Sequence, residues 1–89
     1  MRSHTTARFR ALLSQLPGPV QRQARDAYRL FEQDPFHPSL RFRQVHAVLP
    51  IYSARVGIGH RALGRREDDD VIWFWIGSHA VYDQVRSRL

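Results

Sequence analysis

Val71-Ile72-Trp73-Phe74-Trp75-Ile76 is the longest apolar run in the chain, and the fold follows from how it is read. A membrane span needs roughly 20 apolar residues, so this run is far too short for one. Its residues are all β-branched or aromatic, the types that fill strands. With no polar alternation both faces must be covered, which predicts a strand placed centrally in the sheet, since an edge of this composition would aggregate. Glu67-Asp68-Asp69-Asp70 ahead of it reads as a solvated acidic turn. Behind it, Gly77 closes the strand and Ser78 caps a final short helix with Tyr82, Val85 and Leu89 on one side.

Toward the N-terminus, Tyr52, Ala54 and Val56 alternate with Ser53, Arg55 and Gly57. Gly57-Ile58-Gly59 then supplies a tight turn into residues 60–66, which makes a β-hairpin. Leu40 and Phe42 alternate with Arg41 and Arg43, which predicts a further strand from Leu40 onward. Before Leu40 the period is helical. Thr5 or Thr6 caps a helix carrying Phe9, Leu12, Leu13 and Leu16, and Pro17-Gly18-Pro19 ends it. A second helix starts near Pro19, sets Val20, Ala24, Ala27, Tyr28 and Phe31 against Arg22, Arg25 and Arg29, and stops at Asp34-Pro35. The expected fold class is α+β in a single domain over residues 1–89: a helical hairpin, three or four antiparallel strands, and a terminal helix.

The composition narrows the chemistry. With 89 residues, no Cys and a net charge of +6, the chain has no disulfide framework, thiolate zinc site or thiol nucleophile. All 14 basic residues are Arg, which removes Schiff-base and phosphate-loop lysine chemistry and leaves fixed, forked cations suited to phosphate. They are unevenly placed: residues 1–66 hold 12 Arg against 3 acids, while residues 67–89 hold 2 against 5. A polyanion is the expected partner of the first two thirds. No apolar signal core or membrane span is legible, and the expected compartment is a reducing cytoplasm.

Chemistry on a nucleic acid needs a group that titrates near neutrality, which only His offers unperturbed. His79 follows the buried strand directly, so its backbone is anchored while its ring reaches the concave face of the sheet; the plainer alternative is a helix-start histidine bonded locally. Arg55 and Arg61 lie either side of the glycine turn at a spacing that brings two guanidinium groups to one patch, a costly arrangement without an anion between them, although solvated surface arginines would give the same spacing. Arg41 and Arg43, outward on their strand, read as an electrostatic footprint for nucleic acid. His37 and His46 show no metal-ligand spacing, so no metal or other cofactor is expected. Trp73 and Trp75 are assigned to the core ahead of base stacking.

Leu16-Pro17 and the amphipathic helix after it, Asp34-Pro35-Phe36-His37-Pro38-Ser39-Leu40, Tyr52-Ser53-Ala54-Arg55-Val56, Arg61-Ala62-Leu63, and Ile76-Gly77-Ser78-His79 with Tyr82-Asp83 together resemble the RelE/ParE superfamily of toxins from bacterial type II toxin–antitoxin systems. The resemblance implies two N-terminal helices against a small twisted antiparallel sheet, with the usual first strand very short or missing here. It implies a cognate antitoxin as partner and, in many members, metal-independent cleavage of mRNA on the ribosome. The family's site positions fall on Arg55, Arg61 and His79, with Tyr82 as the following aromatic and His37 as a further histidine. Members that inhibit DNA gyrase share the fold without nuclease chemistry, which makes a protein-target inhibitor the alternative. A basic nucleic-acid-binding domain without chemistry is the third possibility.

Overall fold

A computed structural model describes every residue from Met1 to Leu89. Thr6 caps helix α1 (Ala7–Ser14) by accepting the Phe9 N–H at its Oγ1 (3.1 Å). Pro17 precedes α2 (Gly18–Gln33), whose C-terminal cap is Asp34, the residue that the following proline drives out of helical geometry. Ala24 and Phe31 of α2 are buried while Arg22, Arg25 and Arg29 stay exposed, so the helix packs by its apolar stripe. The chain ends in α3 (His79–Ser87), where Ser78 accepts the Val81 N–H at its Oγ (3.3 Å).

Five strands form the sheet: β1 (Arg2–Thr5), β2 (Arg43–Gln44), β3 (Ile51–Val56), β4 (His60–Glu67) and β5 (Asp70–Ser78), in the order β1-β5-β4-β3-β2. β5 is interior, flanked by β1 and β4, and its two tryptophans are buried at 4% and 5% exposure. The fold is the α+β arrangement read from the sequence, with one strand more than its residues announced. β1 exists, is four residues long, and runs parallel to β5, so the sheet is mixed rather than wholly antiparallel. Nothing apolar marks it, because polar side chains tie it down. Ser3 Oγ accepts from Trp73 Nε1 (2.7 Å), and Arg2 donates from Nε and a terminal nitrogen to the two carboxylate oxygens of Asp70 (2.7 and 3.2 Å).

The strand expected from Leu40 onward is corrected in form. Pro38–Leu40 is a 3-10 turn, Arg41 is left-handed (φ 47°, ψ 42°), and only Arg43–Gln44 pairs with β3. The predicted inward and outward sides survive, with Leu40 and Phe42 buried and Arg41 and Arg43 exposed. The turn that Pro38 opens and the kink at Arg41 break the ladder.

Strict alternation along β5 is also interrupted. Leu63 pairs with Trp75 and Gly64 with Trp73, which leaves Phe74 as the extra residue of a β-bulge. The bulge sends the two indoles to opposite faces. Trp73 joins Phe9, Phe31 and Phe42 in the core beneath α1 and α2, while Trp75 joins Ile51, Leu63 and Tyr82 beneath α3. Each indole lies against a glycine: a Cβ at Gly64 would stand 2.7 Å from Trp73, and one at Gly77 would stand 2.6 Å from Trp75. Gly77→Ala is therefore expected to overpack the α3 side of the sheet and lose about 1–3 kcal/mol, read as a lower urea midpoint at unchanged slope. An unchanged midpoint would contradict this packing.

Candidate active site

The α3 side of the sheet carries a concavity of about 120 Å³ whose eight lining residues include a single hydrophobic one, Tyr82. Arg41 reaches it from the segment leading into β2, Arg43 from β2 itself, Ser53 from β3 and Arg61 from β4. His79, Tyr82, Asp83 and Arg86 come from α3. Helix spacing explains this last set. Residues three, four and seven positions beyond His79 share its face, and these are Tyr82, Asp83 and Arg86.

His79 opens α3 with its backbone N–H bonded to the Gly59 carbonyl (2.8 Å), which joins the helix start to the β3–β4 turn. Its imidazole stacks on Tyr82, the rings 6.0 Å apart at 18°. Tyr82 is buried and packs in turn near Trp75 (6.4 Å between rings), so the histidine's aromatic neighbour is fixed by the core. The buried strand thus anchors the titratable ring from both its backbone and its stacking partner.

Four guanidinium groups face one carboxylate in this concavity. None of Arg41, Arg43, Arg61 and Arg86 takes part in the chain's four ion pairs, which are Arg2–Asp70, His4–Asp70, Arg29–Asp26 and Arg65–Glu67. Arg61 is half-buried and donates to the His60 carbonyl (2.9 Å). Its guanidinium is held below the usual arginine pKa, first by burial and then by the charge of Arg55. Tyr82 acts in the opposite sense, and Arg41 and Arg43 push it down further. A partly desolvated cation with other arginines around it favours an anion at its side.

Arg55 stands directly opposite Arg61 in the β3–β4 register. Its Nε, however, donates to the Gly57 carbonyl (3.1 Å), and its side chain lines a different groove, beside Gln23 and Asp26 of α2. The two arginines are adjacent and electrostatically linked, but only Arg61 lines the concavity. His37 is farther from the role expected of it. It caps the 3-10 turn, with Nδ1 accepting the Ser39 N–H (3.2 Å) and lying 2.8 Å from Ser39 Oγ, and it does not line the concavity. No group of three His, Asp or Glu side chains converges as a metal-ligand set.

Sequence reasoning missed Ser53, Asp83 and Arg86. Ser53 is buried on the face that Arg43 shares, because the two are paired in the β2–β3 register. Asp83 and Arg86 were available from the helical spacing after His79.

The fold has clear relatives. It superposes on the toxin of the RelB–RelE antitoxin–toxin complex from Methanococcus jannaschii with a TM-score of 0.73 at 16% identity, covering 91% of this chain and 96% of that one. YafQ from E. coli strain BL21(DE3) gives a TM-score of 0.72 at 10% identity, with 92% and 98% covered. The intact E. coli RelBE toxin–antitoxin complex gives 0.65 at 14%, with 86% and 94% covered. Among curated protein sequences none matches this chain. Residues 19–84 match the ParE-like toxin domain, a stretch that runs from the start of α2 through Tyr82 and Asp83. The chain belongs to the family of ParE-like toxin domains.

Proposed function

We propose that this toxin is a metal-independent endoribonuclease that cuts mRNA on the ribosome and so inhibits translation. The observation that carries the reading is the convergence of four arginines outside every ion pair with His79 and Tyr82 in one polar concavity. Unpaired arginines around a histidine supply both the phosphate-binding cations and the proton-transfer group that RNA cleavage needs.

In this mechanism the ribose 2′-OH attacks the adjacent phosphorus, and the P–O bond to the 5′-oxygen breaks. A 2′,3′-cyclic phosphate and a 5′-hydroxyl remain. Arg61, with Arg43 and Arg86 beside it, stabilises the charge on the phosphorane oxygens. Arg55 acts on the clamp through its charge on Arg61. His79 transfers a proton, and Tyr82 holds its ring by stacking. The second proton transfer falls to Asp83, one helical turn beyond His79 in the same concavity, rather than to His37, which does not line it. No cofactor enters the reaction.

The exposed arginines of α1 and α2 (Arg8, Arg10, Arg22, Arg25 and Arg29) form a second basic surface suited to ribosomal RNA. By analogy with the antitoxin–toxin complexes of similar fold, the protein partner is a cognate antitoxin. No helix is long and apolar enough to cross a membrane.

Induced expression of the chain alone is expected to arrest growth, with amino-acid incorporation falling within minutes and thymidine incorporation only later. Co-expression of the antitoxin should restore growth. Early loss of thymidine incorporation with translation intact would instead favour a protein target in DNA replication, such as DNA gyrase.

A further inference from the structure

Arg41 has a left-handed backbone (φ 47°), and the other non-glycine residue with positive φ is Asp68 (φ 53°). Asp68 needs no special account, because it sits in the β4–β5 turn and aspartate is among the residue types that tolerate this region. Arginine is not among them. The backbone at Arg41 is dictated by its surroundings: Leu40 and Phe42 on either side are buried in the same core cluster, and the Arg41 N–H closes the 3-10 turn onto the Pro38 carbonyl (3.3 Å). Glycine would adopt this geometry without strain. The chain instead carries a long cationic side chain there and directs it into the concavity that holds Arg43, Arg61 and His79.

Strain, like-charge neighbours and the absence of any ion pair all weigh against an arginine at this position in the free protein. An anion in the concavity reverses two of the three. We propose that Arg41 binds a phosphate of the RNA strand flanking the scissile one, and that the left-handed backbone is retained at the expense of stability because it delivers the guanidinium there. This deepens the nuclease reading and rests on it. Arg61 acts on the reacting phosphorus, while Arg41 grips the strand beside it.

The test compares wild type with Arg41→Gly, Arg41→Asn and Arg41→Lys. The readouts are thermal melting and single-turnover cleavage of ribosome-programmed mRNA as a function of toxin concentration. Glycine and asparagine accept the left-handed backbone, so both variants should melt at or above the wild-type temperature. Their half-saturating concentration should rise about tenfold or more, the scale of one charged hydrogen bond, with the maximal rate within about threefold of wild type. Arg41→Lys should fall between, since it keeps the charge but loses the fork. Wild-type half-saturation in Arg41→Gly would overturn the assignment, and so would a lowered melting temperature in both the Gly and Asn variants, which would show a structural role. Absence of cleavage by wild type would overturn the nuclease reading and the Arg41 assignment together, whereas wild-type cleavage unaffected by the variants would overturn only the latter.

Discussion

Arg61→Ala is expected to cut mRNA about 100- to 1,000-fold more slowly than wild type while melting at the same temperature or slightly above it. The rate loss is the usual scale for removing one preorganised donor that meets developing charge. Arg61 is preorganised in this sense. β4 holds it between Arg55 on one side and Gly77 on the other, and its own guanidinium is pinned to the His60 carbonyl at 2.9 Å. Thermal stability should not suffer, because the side chain joins no ion pair and its charge is opposed by burial and by Arg55. Arg61→Lys should recover only part of the rate, since an ammonium restores the charge without the two-pronged geometry. Full activity in Arg61→Lys would show that charge alone suffices; full activity in Arg61→Ala would remove Arg61 from the mechanism.

The second large effect concerns the fold. Trp73→Ala is expected to lose about 3–5 kcal/mol, as truncation of a large buried aromatic does, out of a total stability of about 5–9 kcal/mol for a domain of this size. The indole meets Phe31 edge-on (5.4 Å between rings) and Phe42 at 6.1 Å, and its Nε1 secures β1 through Ser3. Its loss should therefore loosen both the helical layer and the parallel edge strand. In melting experiments this corresponds to a fall of roughly 15 °C or more. Trp73→Phe keeps most of the ring and loses the donor, so a smaller decrease of about 1–2 kcal/mol is expected. If Trp73→Ala melts like wild type, the core beneath α1 and α2 is not organised around this residue.

What was legible in the sequence follows a physical divide. Periodicity reports burial, so α1, α2, the β3–β4 hairpin, the buried run of β5 and the capped α3 are all legible in residues 5–89. β1 could not, because Arg2-Ser3-His4-Thr5 has no apolar period and owes its place to polar contacts with Trp73 and Asp70 that lie about seventy residues away in sequence. The bulge at Phe74 escaped for a related reason: an insertion in a ladder is set by the partner strand, here by Leu63 and Gly64, and leaves no mark in an all-apolar run. Around Leu40, alternation reported the correct buried side chains but the wrong backbone, since a proline-initiated turn and a kink can bury the same two residues as a strand.

The site divides in the same way. His79 was singled out because it follows a buried strand, and Tyr82 because the family resemblance implies an aromatic after it; both line the concavity. Arg61 was found as the partner of Arg55 across the glycine turn, and register does place the two together. Side-chain direction then separates them, since the Gly57 carbonyl draws Arg55 away. Register also brings Ser53 beside Arg43, a relation that depends on a two-residue strand no pattern would reveal. His37 illustrates the converse: a residue in a suggestive motif can be taken up locally, here as the cap of the turn it begins.

The central claim is that the arginine-lined concavity cleaves RNA through the ribose 2′-OH with His79 moving a proton. The most direct test is to incubate purified toxin with mRNA-programmed ribosomes and analyse the ends of the fragments, using wild type and a His79→Ala variant shown to be folded by thermal melting. The account predicts wild-type fragments ending in a 2′,3′-cyclic phosphate or its 3′-phosphate product and beginning with a 5′-hydroxyl, and a rate in His79→Ala lower by about 100-fold or more at unchanged ribosome binding. Intact mRNA with wild-type toxin, or wild-type cleavage by folded His79→Ala, would contradict it.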